Sequence, residues 1–250
     1  MSESRDVLSR AARPADLSWN DDPSGDDAHA VDVWLPMNRG ATHPLVIFFH
    51  GGFWRPEYDR RHVAPLAEAL AAEGFVVATP EYRRGEGPDA MFADVLHAIR
   101  TIPQRLAADI ALGSVILAGH SAGGHLAVWA SRQEDIGEIA GVVALAPVLD
   151  LREADRRDLG EGATRAFLEV SPEDDPARWD AADPMAIGGD QPPVIVVHGD
   201  ADIRVPIDLS RGYRDRLGGR LIELPATDHF AVIDPQSSAW TSVRAAFRTW

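Results

Sequence analysis

The stretch Val115–Trp129, with the sequence VILAGHSAGGHLAVW, decides the fold of this chain. An apolar run leads into Gly119-His-Ser-Ala-Gly123, and a pattern typical of a helix follows. This is the G-x-S-x-G order in the setting that it requires: a strand, a sharp turn and a helix. Such a turn holds the serine in a strained conformation with Oγ at the end of a sheet, between glycines that allow close approach. An ordinary turn in which Ser121 only caps the helix is the alternative.

The rest of the chain alternates short apolar runs with helical patterns. The apolar runs are Leu45–Phe49, Phe75–Thr79, Val115–Ala118, Val142–Ala146, Val194–Val197 and Leu221–Leu224. Helical spacing is found at Arg61–Glu73, Asp89–Ala108, Ser121–Arg132, Ile207–Leu217 and Gln236–Thr249. Strands that are apolar throughout and alternate with helices predict an α/β fold, a mostly parallel central sheet with helices on both faces.

Composition shifts mark the domain boundaries. Residues 1–28 carry charge, proline and glycine, which predicts a flexible N-terminal arm before a single domain over residues 29–250. The polar–apolar alternation at Ala30–Leu35 indicates an edge strand. The charged segment Asp150–Pro184 is too long for an ordinary connection between two strands, so we expect a short lid there, near the serine end of the sheet.

The overall charge and composition exclude several classes of partner. The 250 residues include 24 basic and 39 acidic side chains, for a net charge of −15. Such a field repels nucleic acid and anionic membranes, so the expected partner is a small-molecule substrate, while the oligomeric state stays open. Cysteine is absent, which excludes a thiolate nucleophile or thiolate metal site. We see no apolar leader and no run long enough to span a membrane, and therefore expect a cytoplasmic protein.

The loop after the first central strand reads His50-Gly-Gly-Phe-Trp54. Loops at the carboxyl ends of parallel strands form the reaction site of an open sheet. Paired glycines let this loop turn its amides toward Ser121, so we expect the N–H groups of Gly52, Phe53 and Ala122 to form an oxyanion hole. His50 is expected to brace the loop by hydrogen bonds.

A histidine and a carboxylate follow the serine in the order that this architecture demands. A serine hydroxyl is a weak nucleophile near neutral pH, so an imidazole must accept its proton and a carboxylate must fix the tautomer of that imidazole. His229 is the only histidine after the candidate acid loop, and we predict it as the base. His120, His125 and His198 also lie near the site, and we interpret them as hydrogen-bonded packing residues.

Several carboxylates compete for the role of the acid. Asp200 and Asp202 both follow the strand Val194–Val197, Asp150 ends the preceding strand, and Asp228 adjoins the base. We favour Asp202 because Ile203-Arg-Val-Pro206 after it supplies the turn that starts the next helix. Asp200 would then hold the loop, and Asp228 would be solvated or brace its own loop.

Together these motifs resemble the α/β-hydrolase fold family, and within it the kynurenine formamidases (arylformamidases) and related carboxylesterases. The residues that carry the resemblance are His50–Trp54, Gly119–Leu126 and Asp228–Phe230. Phe53 stands where the formamidases typically have tyrosine, and Gly124 where they have alanine. The resemblance covers roughly residues 44–233 and implies that Ser121, Asp202 and His229 form a catalytic triad.

Three aromatic residues are candidates for the substrate pocket: Trp54, Trp179 and Phe230. Trp54 and Phe230 stand on loops of the site, and Trp179 lies in the expected lid. Two rings facing the pocket would favour an aromatic or compact substrate. Arg55 or Arg204 could hold a substrate carboxylate, although arginine beside an acidic loop is more often an ion-pair partner.

The sequence thus predicts a serine hydrolase without metal or cofactor, acting on a small ester or an aryl amide of the formamide type. A general short-chain carboxylesterase is the first alternative. The second is a receptor that keeps the hydrolase fold and binds a ligand without turnover.

Overall fold

An eight-stranded sheet forms the centre of the protein. The computed structural model describes residues 3–21, 27–38, 40–187 and 192–250. The strands are β1 (Leu17–Asn20), β2 (Ala30–Trp34), β3 (His43–Phe49), β4 (Val76–Pro80), β5 (Leu112–His120), β6 (Gly141–Leu145), β7 (Val194–Gly199) and β8 (Arg220–Leu224). Their order in the sheet is β1-β2-β4-β3-β5-β6-β7-β8. β2 runs antiparallel to both of its neighbours, and every other neighbouring pair is parallel.

Helices cover both faces of the sheet, as predicted. They are α1 (Ala64–Ala72), α2 (Gly87–Leu106), α3 (Ala122–Ala130), α4 (Leu151–Arg156), α5 (Ala163–Leu168), α6 (Pro176–Ala182), α7 (Asp208–Leu217) and α8 (Trp240–Phe247). One apolar core unites residues of α2, α3 and α7 with one face of the strands, and a second unites α1 and α8 with the other face. The central strands are apolar throughout because neither of their faces meets water.

The edge of the sheet differs from the prediction. β2 is not the edge strand, because β1 pairs with it from Leu17–Val33 to Asn20–Ala30. A short 3-10 helix, Arg5–Ser9, precedes β1 and buries Val7 completely in the second core. In its described residues the expected arm is therefore packed against the domain rather than separate from it. Part of the charged run that suggested an arm, residues 22–26, lies outside the described residues.

The expected lid corresponds to three short helices between β6 and β7. α4, α5 and α6 form this segment, which we call the insertion. It packs against the H-G-G-F-W loop, where the indole of Trp54 stacks on Phe167 of α5 with ring centroids 4.7 Å apart. The Arg55 guanidinium donates hydrogen bonds to the carbonyl oxygens of Gly160 and Glu161. The insertion thus supports the loop that follows β3.

Candidate active site

Ser121 occupies the sharp turn between β5 and α3. Its backbone has φ 55° and ψ −119°, a conformation that costs energy for any residue with a Cβ. A Cβ at Gly119 would overlap the carbonyl oxygen of Gly123, and a Cβ at Gly123 would overlap that of Phe49. Both glycines of the motif are therefore required by contact between β5, α3 and β3. The predicted strand, turn and helix are present, with Ser121 at the carboxyl edge of the sheet.

His229 and Asp202 form a buried pair beside this turn. The distance from His229 Nδ1 to Asp202 Oδ2 is 2.6 Å. The other carboxylate oxygen, Oδ1, accepts hydrogen bonds from the backbone N–H groups of Arg204 at 2.8 Å and Val205 at 2.9 Å. Burial raises the pKa of the Asp202 carboxyl, but hydrogen bonds from His198 and His229 outweigh burial and hold the pKa below its usual range. Asp202 is therefore an anion at neutral pH, held in one orientation.

The competing carboxylates have other partners. Asp200 is exposed and accepts a hydrogen bond from the backbone N–H of Ala226 at 2.6 Å. Asp228 accepts from the backbone N–H groups of Phe230 and Ala231, and Asp150 caps α4 through the N–H of Glu153. Asp200 and Asp228 thus brace loops, as expected. Of these four carboxylates, all within the described residues, Asp202 is the one bonded to His229.

Two further histidines hold this pair in place, and the sequence did not distinguish them from packing residues. His198 Nε2 lies 3.2 Å from Asp202 Oδ2 and 2.9 Å from the carbonyl oxygen of Val205, while its Nδ1 contacts Ser210 Oγ at 2.7 Å. His120 Nε2 lies 2.9 Å from the backbone carbonyl oxygen of His229 and donates to it. Burial lowers the pKa of His120 well below its usual value, so this ring is neutral.

Buried side chains that are joined by hydrogen bonds support the H-G-G loop. His50 Nε2 bonds to Glu81 Oε1 at 2.8 Å, its Nδ1 donates to the carbonyl oxygen of Gly51 at 2.8 Å, and Tyr82 donates to the carbonyl of His50. Burial raises the pKa of Glu81, but its interactions with His50, with the Arg84 guanidinium and with the backbone N–H of Arg60 together lower the pKa to about 2. His50 therefore braces the loop, as the sequence suggested.

One cavity brings Ser121 and His229 together with two of the candidate oxyanion residues. Gly52 and Phe53 line it, and it contains about 330 Å³ of empty space, its open mouth included. Gly52 and Phe53 have positive φ values of 127° and 52°, which turn the loop sharply at this point. Ala122 is the first residue of α3, so its N–H has no acceptor four residues earlier in the helix. The arrangement suits a negatively charged oxygen near Ser121.

The three aromatic candidates for the substrate pocket lie in different places. Phe230 lines the cavity that contains Ser121. Trp179 does not, because it is fully buried within the insertion, where its Nε1 donates to the carbonyl oxygen of Val170. Trp54 is only 4% exposed, stacks on Phe167 and lines a neighbouring cavity of about 500 Å³. Phe53 lines both cavities.

The structure also bears on metals and membranes. Among the described residues, no three histidine or acidic side chains are grouped so that they could hold a metal ion. Within the same residues, no helix has both the length and the apolar character needed to cross a bilayer.

Comparison with known proteins places the chain in a family. The model of the family described as BD-FAE matches residues 31–217, from β2 to the end of α7. The chain belongs to the BD-FAE family. The family match includes Ser121 and Asp202 and ends before His229, whose imidazole is bonded to Asp202 in the structure.

Individual relatives of this BD-FAE protein carry hydrolase names. A kynurenine formamidase of Danio rerio is 32% identical over 120 residues, which cover 46% of this chain and 39% of the relative. A protein of Mycobacterium tuberculosis named probable carboxylic ester hydrolase LipM is 26% identical over 251 residues, covering 86% of this chain and 56% of the relative. The matched stretches thus span about half or less of these relatives' own lengths. Esterase B of Lactobacillus rhamnosis has the same fold, with a TM-score of 0.81 and 19% identity over 98% of this chain and 88% of that one.

Proposed function

We propose that this protein is a serine hydrolase that cleaves a small ester or an aryl amide of the formamide type through Ser121, His229 and Asp202. One observation carries the proposal: a strained serine turn opens into the same cavity as an imidazole that is bonded to a buried aspartate. The hydrolase and esterase names of the relatives support the same class of reaction.

The proposed reaction has two halves. Ser121 Oγ attacks the acyl carbon while His229 Nε2 accepts the hydroxyl proton, and Asp202 stabilises the imidazolium that results. The amides of Ala122, Gly52 and Phe53 hold the oxyanion of the tetrahedral intermediate. His229 then protonates the departing oxygen or nitrogen, which leaves an acyl ester on Ser121. In the second half His229 takes a proton from water, the hydroxide attacks the acyl ester, and His229 returns the proton to Ser121.

A burst experiment separates this reaction from ligand binding without turnover. A serine hydrolase that forms an acyl-enzyme should release p-nitrophenol from p-nitrophenyl acetate in a burst of up to one equivalent per site, followed by a steady rate. A receptor that only keeps the fold would release none above background.

Two substrate classes remain within the proposal. Formamidase activity is supported by the kynurenine formamidase relative. Carboxylesterase activity is supported by the carboxylic ester hydrolase relative, which covers more of this chain. A panel of purified esters and formamides that includes N-formylkynurenine decides between them. Ester turnover with no formamide cleavage would assign the plain esterase.

We expect kcat/KM to fall by at least about 10²-fold from p-nitrophenyl acetate to p-nitrophenyl palmitate, the scale of a few kcal/mol of lost transition-state binding. The cavity at Ser121 is walled by Tyr58, Phe230 and Leu8, which leave room for a compact acyl group rather than a long chain. The octanoate ester, which is more soluble, serves as the control and should give an intermediate value. Equal values for acetate and palmitate would refute the small pocket.

We expect EDTA to leave the hydrolysis rate unchanged, because backbone amides rather than a metal ion would stabilise the oxyanion. The measurement compares p-nitrophenyl acetate turnover before and after dialysis against the chelator. Loss of activity that zinc restores would assign the reaction to a metal-dependent mechanism instead.

A further inference from the structure

The segment before the first strand closes one side of the candidate active site. Glu3 forms a two-pronged ion pair with Arg204, with Oε1 to Nε at 2.7 Å and Oε2 to Nη2 at 2.8 Å. Ser4 donates from both its backbone N–H and its hydroxyl to Asp228, the residue before His229. Leu8 lines the cavity that contains Ser121. The segment of residues 3–8 therefore contributes Leu8 to the wall of this cavity and binds Arg204, another lining residue, through Glu3.

Arg204 places a positive charge in the wall of the cavity that contains Ser121. Among the described residues that line the cavity, it is the one with a permanent charge. Burial lowers the pKa of His62 to about 4, and burial also lowers the pKa of His120 well below its usual value, so these two lining histidines are neutral. The chain as a whole carries a charge of −15. A positive site in the wall of the catalytic cavity thus favours an anion that the rest of the surface repels.

The Glu3 carboxylate binds Arg204 as the carboxylate of a ligand would. It uses the edge of the guanidinium that offers two parallel donors, the geometry in which arginine recognises carboxylates. The Arg204 guanidinium carbon lies 5.2 Å from the centre of the Phe230 ring, and the centre of that ring lies 5.2 Å from the centre of the His229 ring. Hydrogen bonding to Arg204 lowers the pKa of Glu3, which keeps its carboxyl ionised. The side chains of Arg204 and Glu3 are 24% and 15% exposed, and ion pairs in contact with water add little to stability.

We propose that Arg204 binds a carboxylate on the leaving group of the substrate, and that Glu3 holds that place until the substrate displaces it. This inference rests on the proposed hydrolysis at Ser121. The substrate class is then an anionic ester or amide whose departing alcohol or amine carries a carboxylate. The leaving group is the part assigned to Arg204 because the guanidinium lies on the side of His229, the group that protonates the departing atom.

A matched pair of substrates measures this charge preference. The anionic member is 3- or 4-acetoxybenzoate, whichever isomer is cleaved faster, and the neutral member is the corresponding acetoxybenzamide, which has nearly the same shape. The quantity compared among variants is the ratio of kcat/KM for the benzoate to kcat/KM for the benzamide. Arg204→Gln should lower this ratio about 10- to 100-fold, the effect of losing a charge-assisted hydrogen bond. Arg204→Lys should restore part of it, because lysine keeps the charge without the two-donor edge.

Removal of the competing carboxylate should have the opposite effect. Glu3→Gln is expected to raise the ratio about 3- to 10-fold, through a lower KM for the benzoate, because the substrate no longer has to displace an anion. Ser4→Ala is the matched control: it loosens the same segment at Asp228 without a change of charge, and should leave the ratio as in the wild type.

The outcomes distinguish failure of the Arg204 inference from failure of the proposed hydrolase function. If Arg204→Gln and Glu3→Gln alter both substrates equally, so that the ratio stays constant, Arg204 only fastens the N-terminal segment and the inference is wrong. If the wild type cleaves neither these esters nor p-nitrophenyl acetate, the hydrolase function itself fails and the inference with it. A ratio that falls with Arg204→Gln and rises with Glu3→Gln supports both.

Discussion

Replacement of Ser121 by alanine is expected to lower kcat for p-nitrophenyl acetate by about 10⁴- to 10⁶-fold, while binding of a non-hydrolysable analogue stays nearly unchanged. The loss is this large because nucleophile, base and acid act as a unit, so the removal of one leaves only the oxyanion amides and substrate positioning. Alanine keeps the Cβ that the turn already accommodates, and the backbone bonds of Ser121 to Leu145 and His125 do not involve the hydroxyl. The variant should therefore fold and melt like the wild type.

The control for this variant lies on the same helix. Ser131 follows the last residue of α3, where its hydroxyl donates to the carbonyl of Val128. Ser131→Ala removes an equivalent hydroxyl at the far end of α3, and its kcat should stay within a few-fold of the wild type. If Ser121→Ala retained a tenth of the activity, another residue would have to be the nucleophile.

Replacement of Asp202 by asparagine is expected to lower kcat by about 10⁴-fold, the scale of the same change in a related triad. One carboxylate oxygen of Asp202 accepts from two backbone N–H groups, so the asparagine carbonyl would take that place. The amide NH₂ would then face His229 Nδ1, now 2.6 Å from a carboxylate oxygen. A donor there leaves His229 with its proton on Nε2, the nitrogen that must accept the proton of Ser121.

Asp200→Asn is the matched control for this loss. Asp200 is exposed, and an asparagine oxygen can still accept from the backbone of Ala226. We expect its kcat to stay within about three-fold of the wild type and both variants to remain folded by circular dichroism. Should Asp200→Asn be the more damaged of the two, the acid has been assigned to the wrong residue. If neither matters, Asp150 becomes the acid to test.

The parts of the fold that depend on local pattern were predictable from the sequence. The six apolar runs all became strands. The inner ones are apolar because both of their faces are buried, whereas β8 lies at the edge of the sheet and is partly exposed. The serine turn was predictable because glycines two residues either side of Ser121 reflect a contact that allows no Cβ. The chain order then pointed to His229 and Asp202, whose direct bond is present in the structure.

The parts that depend on distant contacts were not predictable. Trp179 and Trp54 looked available for substrate because they stand in the insertion and in a site loop, but packing within and against the insertion buries both. The role of the first residues was hidden for a similar reason. Glu3 lies 201 positions before Arg204, and no local pattern predicts such a pairing. In the sequence, His198 resembles any histidine at the end of a strand. Its contact with Asp202 depends on the path of the loop after β7.

Labelling with a fluorophosphonate tests the central claim most directly. These reagents form a covalent bond with a serine oxygen whose proton a neighbouring base removes, so they report on activation of the nucleophile without any assumption about the substrate. Intact mass spectrometry should show one label on the wild type, peptide mapping should place it on Ser121, and Ser121→Ala should take up none. A label on another residue, or a wild type that stays unlabelled, would contradict the account.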